Sequence, residues 1–174
     1  MTATAQIPGY TTGTWDIDPV HSDVTFSVRH MGVGKSRGRF GAFSAEIVTA
    51  EDLLQSSVHA TIDVSSIDTR NADRDAHVRS ADFFDAEQFP TAIFRSTGIR
   101  QNGEDYLIDG EFTLKGVTKP VTLTAELNGF SDNLLGISAT TTINRSDFGV
   151  GPAGGAVVGE KIAITLDIEA QLRS

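Results

Sequence analysis

The apolar positions of this chain fall mostly on every second residue. In "EKIAITLDIEAQLR", residues 160–173, Ile162, Ile164, Leu166, Ile168 and Leu172 share one parity, while Lys161, Thr165, Asp167, Glu169 and Arg173 share the other. A two-residue period is that of a β-strand with one dry face and one wet face. "DVTFSVRHM" repeats it through Val24, Phe26, Val28 and His30, and "SVHATIDVSSID" through Val58, Ala60, Ile62 and Val64. In "DYLIDGEFTLKGVTKPVTLTAELNG" one stripe runs through Ile108, Gly110, Phe112 and Leu114, the next through Val121, Leu123, Ala125 and Leu127. "KGVTKP" between them supplies turn chemistry, with Gly116 free to take positive φ and Pro120 restricting Lys119. Further strands fit "RFGAFSAEIV", "TAIFRSTGIRQ" and "LLGISATTTIN". Connections as short as "QNGED" and "GFSDN" predict hairpins, hence antiparallel neighbours.

The alternation breaks in "SIDTRNADRDAHVRSADFFDAEQFP", residues 66–90. There acids, arginines and a histidine crowd into Phe83, Phe84 and Phe89. "NADRDAHVRS" predicts the one main helix, with Asn71 or Thr69 as N-cap, and "AEDLLQ" a second short turn. In the helix Arg74, His77 and Val78 share a face, and Asp75 with Arg79 is an i, i+4 pair. The acids there have arginines within a turn, which favours a salt-bridged brace over acid–base chemistry.

About eight or nine strands, each with one dry face, leave a sandwich or a closed barrel. Strand length favours the barrel, since ten residues span roughly 33 Å. The expected fold is therefore all-β: an elongated antiparallel eight-stranded barrel with one main α-helix. Such a barrel is either filled by its own side chains or holds one small ligand. A filled core is the more frequent outcome, although Ala60, Gly110, Ala125 and Ala139 on the dry stripes leave room. Residues 1–13, polar and interrupted by Pro8 and Gly9, read as a flexible arm, and 14–174 as a single domain.

A net charge of −9 argues against a nucleic-acid partner and disfavours docking on anionic lipid surfaces. No cysteine is present, which removes disulfides, thiolate catalysis and cysteine-ligated zinc. No apolar run is long enough for a membrane-crossing helix, so stable membrane insertion is not expected. "MTATAQIPGYTTGTW" has neither the basic segment nor the apolar run of a signal peptide, which makes the cytoplasm the expected compartment. His21, His30, His59 and His77 show no pairwise spacing that aims two rings at one ion, so no metal is expected. "INRSDFGVG" gathers Asn144, Arg145 and Asp147 at a strand end before a glycine-rich loop. No helix follows that loop, so it is a poor phosphate cradle.

Several phrases stand together in one order: "WDIDPVHSDVTFSVRHM", "SIDTRNADRDAHVRSADFFD", "FPTAIFRST", "GVTKPVTL" and "INRSDFGVG". From Trp15 to the last strand the chain resembles the YceI family, the bacterial polyisoprenoid-binding proteins. The resemblance implies a lipocalin-like barrel with a helix beside it and an elongated apolar channel. It implies a non-enzymatic carrier or store of a long amphipathic lipid: a polyisoprenoid, an isoprenoid quinone or a fatty-acid derivative. Many members are exported, whereas this sequence begins without their leader. Strand parity and the shared phrases together assign the ligand to Phe26, Val28, His30, Phe43, Ile62, Val64, Phe94, Phe112, Leu114, Leu123, Ile143, Phe148 and Ile164. No cofactor is expected, and a homodimer is the default assembly. Two rival readings remain: an enzyme using His30 or His77 with Asp147, and a filled barrel serving as an interaction domain. On the leading reading, residues 66–90 are a clasp that braces the barrel.

Overall fold

The computed structural model describes residues 7–151 and 158–174. Among them eleven strand segments join in one antiparallel sheet. They are β1 (Gly13–Ile17), β2 (Asp23–His30), β3 (Gly34–Phe40), β4 (Phe43–Thr49), β5 (Ser57–Asp63) and β6 (Ile67–Asp68), then, beyond the helix α1 (Ala72–Arg79), β7 (Thr91–Asn102), β8 (Asp105–Leu114), β9 (Val117–Ser131), β10 (Leu134–Asn144) and β11 (Val158–Leu172).

Segments β1 and β2 follow one line, interrupted by the 3-10 turn Pro19–His21, and both pair with β11. Segments β3 and β4 follow another, broken at Gly41–Ala42, with β3 on β2 and β4 on β1. The result is a closed barrel of eight staves, lipocalin-like in build, in which each stave lies beside the next along the chain. The alternation read from the sequence holds in β11, where Ile162, Ile164, Leu166 and Ile168 turn inward while Lys161, Ala163, Thr165 and Asp167 are exposed.

Two tight connections have the geometry their residues favour. Lys115 and Gly116 both take positive φ (51° and 76°) between Leu114 and Val117, and Asp132 with Asn133 does the same (48° and 66°) between Ser131 and Leu134. Two such residues are what a two-residue hairpin needs to match strand twist. Pro120 lies outside the turn, inside β9 opposite Glu111. It is tolerated because β9 is paired with β10 only from Thr124 onward, leaving no ladder on that side for Pro120 to break.

Ile7 and Tyr10 of the expected arm pack on the barrel; residues 1–6 lie outside the described residues. The Tyr10 hydroxyl donates to the Ala50 carbonyl, and its ring sits 5.1 Å from that of Phe130. Trp15, fully buried, closes this end with Leu135, Ile47 and Ala170. Its indole N–H donates to Thr49 Oγ1 at 2.9 Å, and that hydroxyl donates to the Thr11 carbonyl at 2.7 Å.

The opposite end is covered by the clasp. Asn71 caps α1, accepting from the Arg74 amide at 3.0 Å. Asp75 does not reach for Arg79 as the spacing predicted. Its buried carboxylate accepts from the Thr69 amide at 2.8 Å and from the Thr69 hydroxyl. Arg74 donates to the same threonine, through Nε to Oγ1 (2.8 Å) and Nη2 to the carbonyl (2.6 Å). This knot presents Val64, Ile67, Phe84 and Ala86 to the barrel, where they join Ala92, Leu114, Ile143 and Phe148.

An apolar axial cavity as candidate functional site

The barrel axis is neither an open tunnel nor a solid plug. The central void, about 120 Å³, is walled by inward residues of every stave, among them Ile47, Ile62, Phe94, Phe112, Leu123, Ile143 and Ile164, with no polar surface. Thr141 also lines it, but its hydroxyl donates to the Thr122 carbonyl at 2.9 Å. A second void of about 60 Å³ lies toward the Trp15 end, lined by Leu53, Tyr106, Leu127, Phe130 and Leu135. A third of about 60 Å³ lies under the clasp, lined by Phe26, Phe40, Val64, Phe84 and Leu114.

The voids are neighbours through thin walls. Ile47, Val58, Ile108 and Ile137 border both the central and the Trp15-side void. Val24, Ile62, Phe112, Ile143 and Ile164 border both the central void and the one under the clasp. A cavity of roughly 150 Å³ with such walls stays dry and takes a ligand about the size of benzene. A longer guest must therefore merge the voids by turning those shared side chains.

Ten of the residues assigned from the sequence border these voids: Phe26, Phe43, Ile62, Val64, Phe94, Phe112, Leu114, Leu123, Ile143 and Ile164. Three do not. Val28, the last β2 residue in regular register with β11, opposite Ile162, borders an outer groove with Ser27 and Lys35. Beyond it the pairing shifts register between Ile162 and Val158, and His30 is exposed. Phe148 is buried in the core under the clasp, its ring 5.6 Å from Phe112. Ile47, Val58, Ile108, Ile137 and Tyr106 line the voids without having been assigned. Val58 and Ile108 were already on the inward stripes, so parity alone would have found them.

Several polar side chains outside the voids are engaged in structure. Arg145, 2% exposed, donates to the carbonyls of Gly159 (2.9 Å), Val150 (2.9 Å) and Val158 (3.0 Å), fastening both flanks of the glycine-rich loop. Residues 152–157 of that loop lie outside the described residues. Lys115 Nζ donates to Gly149 (2.8 Å) and Ala81 (3.4 Å), tying a barrel hairpin to the clasp. His77 meets Asp82 at 3.1 Å and the edge of Phe83, while Asp147 receives Asn144 at 3.5 Å. The acid–base pairs of the enzyme reading, His30 or His77 with Asp147, are not joined by a hydrogen bond.

One constellation escaped the sequence. His21 Nδ1 lies 2.8 Å from Asp18 Oδ2 and 3.4 Å from Glu169 Oε2. Glu169 is far away in sequence, and only β11 brings it alongside. The hydrogen bond that His21 donates to Asp18 and the two carboxylate charges raise the His21 pKa, and the same bond lowers that of Asp18. The three ligand atoms are close enough for one ion, but His21 is exposed, its two acids are half-buried, and the trio is already satisfied as an ion-paired cluster.

A closed antiparallel barrel with a dry, apolar interior belongs to the class of small up-and-down barrels, in which closure leaves no open sheet edge. The chain belongs to the YceI-like domain family, whose pattern it matches over residues 15–170. It is 37% identical over 139 residues to a UPF0312 protein of Photorhabdus laumondii, covering 76% of this chain and 72% of that one. A UPF0312 protein of Pseudomonas aeruginosa is 35% identical over 164 residues, covering 88% and 83%. Among solved structures, BcnA of Burkholderia cenocepacia superposes with a TM-score of 0.84 at 28% identity, covering 89% of this chain and 99% of that one. A polyisoprenoid-binding domain from Saccharophagus degradans shares the fold, with a TM-score of 0.73 at 16% identity and coverage of 94% and 100%.

Proposed function

We propose that the barrel binds one long-chain lipid, of the polyisoprenoid, isoprenoid-quinone or fatty-acyl type, and carries or stores it without converting it. The observation that carries this reading is the row of three apolar voids stacked along the axis and separated only by movable aliphatic and aromatic side chains. Membership of the YceI-like family supports it, and so does the fold shared with the polyisoprenoid-binding domain of Saccharophagus degradans.

The physics favours a long guest. Each methylene removed from water contributes about 0.8 kcal/mol, and about twenty approach the ceiling of noncovalent affinity. Part of that gain offsets the cost of turning Phe112, Ile108 and their neighbours to join the voids. A polar head adds little inside a wall that offers it no partner.

Native mass spectrometry of the freshly purified protein, and again after challenge with a polyprenol and an isoprenoid quinone, tests the proposal. One bound lipid of several hundred daltons is expected. A bare chain after both challenges would show that the interior only packs itself. Conversion of the added lipid to a new mass would show an enzyme.

A further inference from the structure

The cations of this acidic chain gather on the outside of the clasp end. Lys35, Arg37 and Arg39 are the exposed alternate residues of β3, and Arg29 of β2 stands directly opposite Lys35. Arg70 and Arg74 reach the same place from the clasp, bordering with β3 an outer groove of about 920 Å³ floored by small residues such as Ser27 and Ala163. Those six are drawn from only fourteen Lys and Arg in the chain.

Arg29, Lys35, Arg37, Arg39 and Arg70 take part in no ion pair among the described residues, in contrast to Arg100, Arg145 and Arg173. Acids nearby include Asp68, opposite Arg39, the exposed Asp73 and the buried Asp75, which is committed to Thr69; Glu160 is committed to Arg145. Like charges directly opposed across strands destabilise a sheet, so the Arg29–Lys35 pair has its reason outside the barrel's own stability.

Two further features mark this surface. The β2–β3 hairpin carries Met31 (58% exposed) and Val33 (91% exposed) at its tip, an apolar pair pointing into water beside the cations. Phe26 borders both the void under the clasp and the cationic groove, so it stands between the oily interior and this face. The net charge of −9 disfavours anionic surfaces only on average. At about 8 Å of screening length a bilayer meeting the hairpin feels the local cations, not the remote acids.

We infer that the β2–β3 hairpin and the adjoining cationic groove form a docking surface for an anionic lipid bilayer, placing the Phe26 end of the cavity against the membrane. Phosphate head groups take the arginines and lysine, and Met31 with Val33 enters the interfacial layer. The docking stands on charge and exposure alone; its use as a loading face rests on the carrier reading.

Flotation of the intact protein with vesicles of phosphatidylcholine alone, or mixed with phosphatidylglycerol, tests it. Binding is expected to the anionic vesicles only, and it should be released by salt. Each cation at such a surface is worth about fivefold in partition, so Lys35→Gln, Arg37→Gln and Arg39→Gln together should weaken it about a hundredfold. Met31→Ser with Val33→Ser should weaken it about tenfold or more. The salt series on the unaltered protein serves if the triple variant does not fold. Equal binding to both vesicles, no salt dependence, or uptake of inorganic phosphate by a protein that stays off anionic vesicles would overturn the inference. Lipid retention by native mass spectrometry is read in parallel: its loss with docking intact sinks the carrier, and its persistence without docking sinks only the membrane face.

Discussion

Phe94 lies across the bare backbone of Gly110 on the neighbouring stave. A methyl group at 110 would meet the edge of that ring, and the Arg95 carbonyl at 2.7 Å. Phe26 uses Gly38, its direct partner in register, in the same way. In both places a missing side chain lets an aromatic ring settle against the wall, which is part of how the axis keeps its voids. Gly110→Ala should therefore crowd the central void and lower stability by about 1–3 kcal/mol. Denaturant unfolding with native mass spectrometry checks it: a lower midpoint and less bound lipid are expected. An unchanged midpoint would mean the ring has another place to go.

Asp75 fastens the clasp through Thr69, inside a segment that shields one end of the cavity. Asp75→Ala leaves the Thr69 amide and hydroxyl without their acceptor, at a cost of about 1–3 kcal/mol. Amide hydrogen exchange should quicken across residues 67–90 while β8 to β11 stay protected. Equal quickening in both regions would show that clasp and barrel open as one.

Arg145 holds three carbonyls with one planar group. Lysine has the charge but not the fork, so Arg145→Lys should behave as a loss rather than a conservative change. About 3–5 kcal/mol is expected when a buried charged partner is removed, as in Arg145→Ala. Thermal unfolding gives the comparison; a lysine variant with unaltered melting would refute the fork argument.

His21 should titrate above the free value of 6.5, because Asp18 and Glu169 favour its protonated form. Its contribution to stability is then complete below pH 6.5 and fades as pH rises through the folded value. Ring-proton NMR should show this, and Asp18→Asn should move the midpoint back down. A midpoint at 6.5 in the unaltered protein would mean the pair is open in solution.

Asp109 shows the opposite sign. Hydrogen bonds from Arg100 (2.7 and 2.8 Å) and Thr122 (2.8 Å) hold its carboxyl at about 2, below the ordinary 3.8. The stabilisation is present above pH 3.8 and is lost as pH falls through about 2. Carboxyl-carbon NMR should find the midpoint raised in Thr122→Val and raised further in Arg100→Gln.

The inward stripe was legible wherever strands are regular, since β8, β11 and β9 as far as Leu127 keep strict alternation beneath side chains of ordinary β preference. It failed where one residue shifts the register. Between Ser96 and Gly98 the β7–β8 pairing slips, so Phe94 and Ile99 both reach the interior despite opposite parity. The strand beginning at Gly34 was hidden because "GKSRGRF" has a single apolar residue, Phe40, and glycines on or near its inner face. The helix was found from its charge and its cap, but the fate of Asp75 was not. Spacing alone offered Arg79, whereas the chain's reversal at Thr69 brings two donors closer. The trio of Asp18, His21 and Glu169 was beyond reach for the same reason, since strand order decides who sits beside Asp18.

The ring has one seam unlike the others. Seven junctions join consecutive staves, but the eighth joins the beginning of the chain to its end, through Trp15↔Leu172 to Ile17↔Ala170 and through β2 against β11. Contacts so distant in sequence form late, after the local hairpins. During synthesis the oily face thus stays uncovered until the final strand emerges, and a nascent chain halted before Val158 is a curled sheet with two raw edges. Chaperone attention, and any opportunity to fold around a guest, falls in that interval.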